Sequence, residues 1–234
     1  MGYYPMGYYF DPTYFLILIG VVISMMASAK LNSTYARYSG VRSRCGMTGA
    51  EAARQLLNSQ GIYDVQIRHV AGNLTDHYDP RTKTVNLSDS VYGSSSIAAI
   101  GVAAHECGHA MQDAGDYAPL RIRAALVPVA NFGSKLSWPL IIIGLLLGGS
   151  SLVSLGILMF SLAVLFQVVT LPVEYNASHR AVTLLDANGI LVGQEVSQTR
   201  SVLGAAALTY VAAAAASLLQ LLRLVLLFGN RRRD

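Results

Sequence analysis

The sequence is poor in charged residues and in cysteine. Of its 234 residues, 13% are charged and 53% are hydrophobic, and the mean hydropathy is +0.44. A soluble domain carries about 25% charged residues, so this composition excludes an ordinary soluble protein and indicates an integral membrane protein. The two cysteines, Cys45 and Cys107, lie far apart and form no CxxC pair. They provide no disulfide framework and fit a reducing compartment.

Clusters of basic residues are also scarce. The net charge of +4 comes from scattered lysines and arginines and from one run at residues 231–233. An arginine run beside an apolar segment is typical of a membrane flank. The sequence shows no motif that is typical of nucleic-acid binding. We therefore expect the lipid bilayer, and not a nucleic acid, as a partner.

The first apolar segment, residues 14–29, is just long enough to cross a bilayer. Tyrosines around its start predict an aromatic belt at the membrane surface; they are Tyr3, Tyr4, Tyr8, Tyr9 and Tyr14. Basic residues follow the segment, namely Lys30, Arg37, Arg42 and Arg44. Because basic residues concentrate on the cytoplasmic side, we expect the N-terminus outside and residue 30 onward in the cytoplasm.

The second apolar segment is too long for a single span. Residues 139–171 contain Gly148-Gly149-Ser150-Ser151, a sequence that is typical of a turn. This pattern predicts a helical hairpin with helices at 127–147 and 152–171. We expect Pro172 to end the second helix.

The third apolar segment, residues 203–228, contains Arg223 and precedes the arginine run at 231–233. If this segment crosses the membrane from the cytoplasm, that run lies outside, against the usual distribution. If it lies on the inner membrane surface, the run stays inside. Both arrangements remain open, so we expect three to four membrane helices.

The pentapeptide His105-Glu106-Cys107-Gly108-His109 matches HExxH and lies in an apolar stretch that predicts a helix over 97–112. Residues four apart share a helix face, so both imidazoles can bind one ion. Neutral imidazoles suit zinc, and Glu106 beside them can take a proton from water. The alternative is a pair of core histidines that are hydrogen-bonded to backbone or carboxylates. Burial of such groups without partners is costly, which favours a zinc peptidase site.

The two central residues of the motif predict packing rather than chemistry. Cys107 is two residues from each histidine, so we expect it to pack in the core and not to bind the ion. A glycine inside a helix costs about 1 kcal/mol relative to alanine. Close approach of another backbone would explain Gly108.

A catalytic zinc site has three protein ligands and one open position. Asp113 follows His109 by one turn, but each turn rises about 6 Å, so we expect it to orient His109 or to face solvent. Glu174 is the better candidate, because it lies in a polar stretch directly after the apolar hairpin. The alternative is that Glu174 lies at the N-terminus of a helix, where the helix dipole stabilises its negative charge.

The polar region before the motif predicts a small α+β core. Thr48 and Glu51 form a capping box that starts a helix ending at Gly61. Residues 65–69 alternate as a short strand.

A hairpin is predicted further along this region. Asp79-Pro80-Arg81-Thr82 is typical of a turn, so the segments 74–78 and 83–87 are expected to pair. We expect an extended substrate backbone to pair with the strand near 83–87. An ordinary exposed hairpin is the alternative.

Three stretches carry a resemblance to a known family: TDHYDPRTKTVNLS at 75–88, AAHECGHAMQ at 103–112 and LPVEYNASHRAV at 171–182. With HExxH on one helix and a glutamate on a later one, the chain resembles the gluzincin peptidases. It is most similar to the YugP-like membrane zinc metallopeptidases, a bacterial family. Related HtpX-like and CAAX-processing peptidases carry an aspartate four residues after the glutamate. This chain has Ser178 there, and its hydroxyl could still hydrogen-bond a ligand.

The resemblance spans nearly the whole chain. It implies a mainly α membrane protein with a gluzincin-like α+β catalytic core and a small sheet. It also implies His105, His109 and Glu174 as ligands of Zn²⁺, Glu106 as catalytic acid and base, and a place in the bacterial inner membrane. The charges around residues 14–29 place the active site on the cytoplasmic side.

The expected function is that of a membrane-embedded zinc endopeptidase that acts on membrane proteins or unfolded polypeptides. The oxyanion of the reaction needs a donor besides the metal, and His179 is our first candidate, with Arg180, His77 and Tyr78 as alternatives. A metal-binding membrane scaffold without catalysis is a second class, and the presence of Glu106 counts against it. A transport component ranks last, since Lys135 and Arg223 are the only ionisable residues evident in the expected spans.

The expected layout has five parts. They are an N-terminal anchor at 1–30, a catalytic core at 31–125, a transmembrane hairpin at 126–171, a helix carrying the glutamate at 172–202, and an apolar C-terminal helix at 203–234.

Overall fold

The computed structural model describes residues 11–229. Within this range the elements are α1 (Tyr14–Ser39), α2 (Gly49–Ser59), β1 (Gln66–His69), β2 (His77–Asp79), β3 (Thr84–Leu87), α3 (Ile97–Ala114), α4 (Ala118–Leu146), α5 (Ser150–Ala187) and α6 (Gln194–Phe228). Four of them, α1, α4, α5 and α6, are long and apolar enough to cross a membrane. The prediction of a mainly α membrane protein with a small sheet is confirmed. The tyrosines at 3–9 and the arginines at 231–233 lie outside the described residues.

The polar core packs α2 and the sheet against α3. Thr48 and Glu51 form the predicted capping box at the start of α2, which buries Leu56 and Leu57 completely. These side chains belong to the same apolar cluster as Val85 of β3 and Ile100 of α3. The HExxH helix therefore has a rigid support on one face.

The three strands have the order β1-β3-β2. The predicted hairpin is confirmed, since β2 and β3 pair antiparallel with His77 opposite Asn86. β1 pairs parallel to β3 with Gln66 opposite Thr84. The expectation that an extended peptide pairs near 83–87 is wrong, because both edges of β3 are already occupied. Among residues 11–229, the strand edge near α3 that no other strand pairs with belongs to β2.

The predicted helical hairpin is confirmed, but both helices are longer than expected. The backbones of α4 and α5 approach each other closely at Gly156 of α5. A Cβ at this position would lie 2.8 Å from the carbonyl oxygen of Ser137 on α4. The prediction that Pro172 ends a helix is wrong, because α5 continues to Ala187. A proline inside a helix costs about 3 kcal/mol, and buried residues on both sides of it, Thr170 and Val173, hold α5 together across this point.

α1 and α6 pack antiparallel along their lengths. Near the middle of the pair, a Cβ on Gly20 would lie 3.2 Å from Ala216. At one end, the guanidinium of Arg223 lies 3.5 Å from the carboxylate of Asp11 and 4.5 Å from the ring centroid of Tyr14. α6 therefore reaches the same depth as α1, so if α1 crosses the bilayer, α6 crosses it too. This favours a spanning α6 over one that lies on the surface.

Candidate metal centre

The HExxH motif lies in the second half of α3. The helix begins after Ser96, whose hydroxyl accepts a hydrogen bond from the N–H of Ala99 at 3.1 Å. One turn separates His105 from His109, and their ring centroids lie 4.8 Å apart with the rings nearly perpendicular. Both imidazoles therefore point to the same side of α3.

Glu174 reaches these histidines because α5 lies against the backbone of α3. A Cβ on Gly108 would lie 2.5 Å from the carbonyl oxygen of Ala177, so only glycine permits this approach. Glu174 is three residues before Ala177, about one helical turn, so its carboxylate lies on the face of α5 that contacts α3. The expected reason for Gly108 is thus confirmed.

Three nitrogen and oxygen atoms converge where the two helices meet. Oε2 of Glu174 lies 3.3 Å from Nε2 of His105 and 3.6 Å from Nε2 of His109. The three atoms lie within 4.8 Å of one another. Oε2 is buried and forms no hydrogen bond with any residue in the range 11–229, which is costly for a carboxylate oxygen. Two imidazole nitrogens and one carboxylate oxygen are a donor set that fits Zn²⁺, which would also satisfy this oxygen.

The second nitrogen of each imidazole has its own partner. Nδ1 of His105 lies 3.0 Å from the hydroxyl of Ser178, and Nδ1 of His109 lies 3.0 Å from Oε1 of Gln112. Gln112 uses its amide N–H groups for the carbonyl of Val173 at 2.8 Å and for Asn176 at 3.0 Å. Its oxygen therefore accepts a hydrogen bond from Nδ1–H of His109, and in the neutral imidazole this leaves Nε2 without a proton and able to bind a metal.

Asp113 was expected to orient His109 or to face solvent, but it contacts Tyr78 instead. Its carboxylate accepts a hydrogen bond from the hydroxyl of Tyr78 at 2.8 Å and so ties β2 to α3. Burial and this hydrogen bond raise the pKa of Tyr78, so its hydroxyl remains a donor at neutral pH. Gln112, three residues after His109, takes the orienting position instead.

His109 and Arg123 both interact with the carboxylate of Glu174. Burial alone would lower the pKa of His109, but the carboxylates of Glu174 and Glu106 outweigh it and raise the pKa. Nη1 of Arg123 lies 3.5 Å from Oε1 of Glu174, so this carboxylate faces a cation on one side and two imidazoles on the other.

Cys107 takes no part in the cluster. It is fully buried, and its thiol lies 3.6 Å from the carbonyl oxygen of Ala53 on α2. Burial raises the pKa of this thiol, which keeps it protonated and unreactive. The expected packing role is confirmed.

Two cavities meet at the cluster. One, of about 150 Å³, is walled mainly by apolar residues of α1, α3 and α6. The other, of about 290 Å³, lies between α4 and strand β2. Five residues line both cavities: Asp76, His105, Glu106, Glu174 and Tyr210. A continuous cleft therefore passes over Glu106 and the converging ligand atoms.

The structure does not bring His179 into this cleft. Its side chain is exposed and lines a separate groove with Arg200, while Arg180 donates a hydrogen bond to Asn176. His77 and Tyr78 do line the larger cavity.

Sequence reasoning missed two residues of the cleft. Tyr210 lines both cavities, and Arg123 contacts Glu174. The available signal was weak: each is a polar side chain in a largely apolar helix, where burial of a polar group indicates a partner.

Comparison with known proteins agrees with this geometry. A family described as "Putative neutral zinc metallopeptidase" matches residues 13–229. The chain is similar to the "Putative membrane protease YugP" of Bacillus subtilis (strain 168), with 47% identity over 220 residues, which cover 94% of this chain and 98% of that protein. No solved structure matches the chain. A match over nearly its full length shows that this membrane protein belongs to the neutral zinc metallopeptidase family.

Proposed function

We propose that the protein is a zinc-dependent endopeptidase in which His105, His109 and Glu174 hold Zn²⁺ and Glu106 is the catalytic acid and base. One observation carries the proposal. The buried oxygen of Glu174 has no hydrogen bond within the described part of the chain and faces the Nε2 atoms of two histidines, in a cleft that Glu106 also lines.

Zinc bound there would polarise a peptide carbonyl and lower the pKa of a water molecule towards about 7. The carboxylate of Glu106 accepts the proton of the attacking water and then delivers it to the leaving amine. Glu106 is buried, and this protects the transferred proton from bulk solvent. Ser178 and Gln112 hold the imidazoles in the orientation that zinc requires.

Stabilisation of the oxyanion falls to residues of the cleft. The hydroxyl of Tyr210 and the guanidinium of Arg123 both belong to side chains that line the larger cavity. Either donor suits the negative charge that develops on the carbonyl oxygen. We prefer Tyr210 because it also lines the smaller cavity, whereas the guanidinium of Arg123 already contacts Glu174. The exposed side chain of His179 has no comparable position.

The shape of the cleft suggests how a polypeptide binds. The unpaired edge of β2 borders the larger cavity through His77 and Tyr78, so an extended substrate adds to the sheet there. The smaller cavity accepts an apolar side chain, since Leu31 of α1 and Ala206 of α6 form part of its wall. Walls supplied by candidate membrane helices support substrates that are membrane proteins or their unfolded segments. The basic residues after the apolar part of α1 support a cleft that faces the cytoplasm, and the similarity to a membrane protease of Bacillus subtilis supports a bacterial inner-membrane enzyme.

Zinc analysis and proteolysis of the detergent-purified chain test the proposal. The wild type should carry one zinc ion and cleave an unfolded protein. Glu106→Gln should keep the zinc and lose about 10²- to 10⁴-fold in rate, the usual contribution of a general base. His109→Ala should lose the zinc. Asp116→Asn is a matched control, because its carboxylate is 70% exposed and lies just beyond α3.

Two outcomes would contradict the assignment. Cleavage by Glu106→Gln at the wild-type rate would remove Glu106 from the reaction. Zinc without any cleavage by the wild type would favour a metal-binding scaffold.

A further inference from the structure

Another groove, distinct from the one that His179 lines, lies between α1, α5 and α6, away from the proposed active site. Its volume is about 690 Å³. Lys30 and Arg37 lie on its α1 wall, Tyr175 comes from α5, and Ser201 and Leu208 come from α6. The proposed peptidase function does not use this groove.

The groove lies at the depth where the apolar parts of three helices end. Lys30 is the first charged residue after the apolar run 14–29 of α1, and Ser201 directly precedes the apolar run of α6. On α5, Tyr175 follows the apolar stretch that ends at Val173. These three ends meet in one groove, which marks the level of the lipid headgroups.

The charge of the groove is positive. Lys30 and Arg37 are seven residues apart, so they share a face of α1 at a spacing of about 10 Å. Neither forms an ion pair with a carboxylate among the described residues, and the described lining includes no acidic side chain. Arg37 lies over the ring of Tyr38, 5.3 Å from its centroid. Two exposed cations without counter-charges attract an anion.

The floor of the groove is apolar. Ala205 and Leu208 of α6 line it below the cations, and Gly204 leaves open space where another residue would place a Cβ. A free phosphate ion would find charge here but would gain nothing from this floor. A molecule with an anionic head and an acyl chain matches both parts.

We propose that this groove binds an anionic phospholipid, with its phosphate between Lys30 and Arg37 and an acyl chain along Ala205 and Leu208. The bound lipid then connects α1, α5 and α6. Tyr175 is adjacent to Glu174, so the lipid steadies the segment of α5 that supplies the proposed third zinc ligand. The site would couple the composition of the inner leaflet to the stability of the metal centre.

Native mass spectrometry of the detergent-purified full chain tests the site. The protein is incubated with phosphatidylglycerol or with phosphatidylcholine of the same acyl chains, and the retained lipid is measured. We expect the wild type to retain phosphatidylglycerol in preference, less so at high salt. Lys30→Gln with Arg37→Gln should bind it about 30-fold more weakly, since each basic side chain near anionic lipid contributes about fivefold.

Three controls make the result decisive. The swap Lys30→Arg with Arg37→Lys keeps both charges and should keep the preference, which separates charge from folding. Arg68→Gln with Arg81→Gln removes two exposed charges near the sheet and should change nothing. Excess glycerol phosphate should not displace the lipid. Equal retention of both lipids by the wild type, undiminished binding by the Lys30→Gln/Arg37→Gln variant, or displacement by glycerol phosphate would each overturn the proposal.

Discussion

The hydroxyl of Ser178 lies 3.0 Å from Nδ1 of His105, while Nε2 of the same imidazole lies 3.3 Å from Glu174. One face of α5 therefore contacts both nitrogen atoms of this histidine. Glu174 and Ser178 are four residues apart, which is one helical turn. A single helix supplies a proposed metal ligand and the group that orients another.

Ser178→Ala should weaken zinc binding about 10- to 100-fold, as loss of a hydrogen bond to a metal-bound histidine usually does. Zinc affinity can be measured by competition with a chromophoric chelator. Ser161→Ala is the control, because Ser161 also lies on α5 but its hydroxyl donates to the helix carbonyl of Leu158. Equal affinities of wild type and Ser178→Ala would show that this hydroxyl does not orient His105.

Gly108→Ala should separate α5 from α3, because the new methyl group would lie 2.5 Å from the carbonyl oxygen of Ala177. We expect destabilisation by about 1–3 kcal/mol, typical of overpacking, together with loss of zinc. Thermal unfolding and metal content measure both effects. Gly93→Ala is the control, since a Cβ there would have no described atom within 4 Å. A Gly108→Ala protein with wild-type zinc content would refute the role of this contact.

Tyr210→Phe should lower kcat about 10²- to 10³-fold, the usual effect of removing one oxyanion donor. The value of KM and the zinc content should change little, because the ring remains in place. Steady-state kinetics on a fluorogenic peptide measure this split. Tyr63→Phe, at an exposed position, is the control. If Tyr210→Phe keeps the wild-type kcat, Arg123 becomes the leading donor.

Ala206→Leu should change which peptides are cut, because it adds three carbon atoms to the wall of the smaller cavity of about 150 Å³. Peptides with a large apolar residue beside the cleaved bond should lose the most in kcat/KM. A peptide library read by mass spectrometry reports the preference. Ala213→Leu, on the same helix but outside that lining, should leave it unchanged. An unaltered preference in Ala206→Leu would mean that no substrate side chain enters this cavity.

The local features of the fold could be predicted from the sequence. The capping box at Thr48, the HExxH helix and the close contact at Gly108 all follow from the spacing of neighbouring residues. Glu174 followed from chemistry, because a two-histidine site needs a third ligand. Ser178 came to attention only through the family resemblance, as a hydroxyl able to hydrogen-bond a ligand, and its contact with His105 is a finding of the structure.

The remaining features depend on contacts between distant parts of the chain. β3 is a central strand because β1, almost 20 residues earlier, pairs with it. Tyr210 reaches the cleft because α6 packs beside α3. No periodicity in the sequence predicts either pairing. The predicted helix end at Pro172 is wrong because the local cost of the proline is outweighed by buried neighbours on α5.

The continuity of α5 through Pro172 has a mechanical consequence. From Ser150 to Glu174 the helix is one rod about 36 Å long, at 1.5 Å per residue. A tilt of about 1° around its membrane end moves the carboxylate by about 0.6 Å, which exceeds the tolerance of about 0.5 Å that a catalytic constellation permits. Because the apolar part of α5 and Glu174 belong to one continuous helix, a change in the tilt of α5 changes the alignment of Glu174 with His105 and His109.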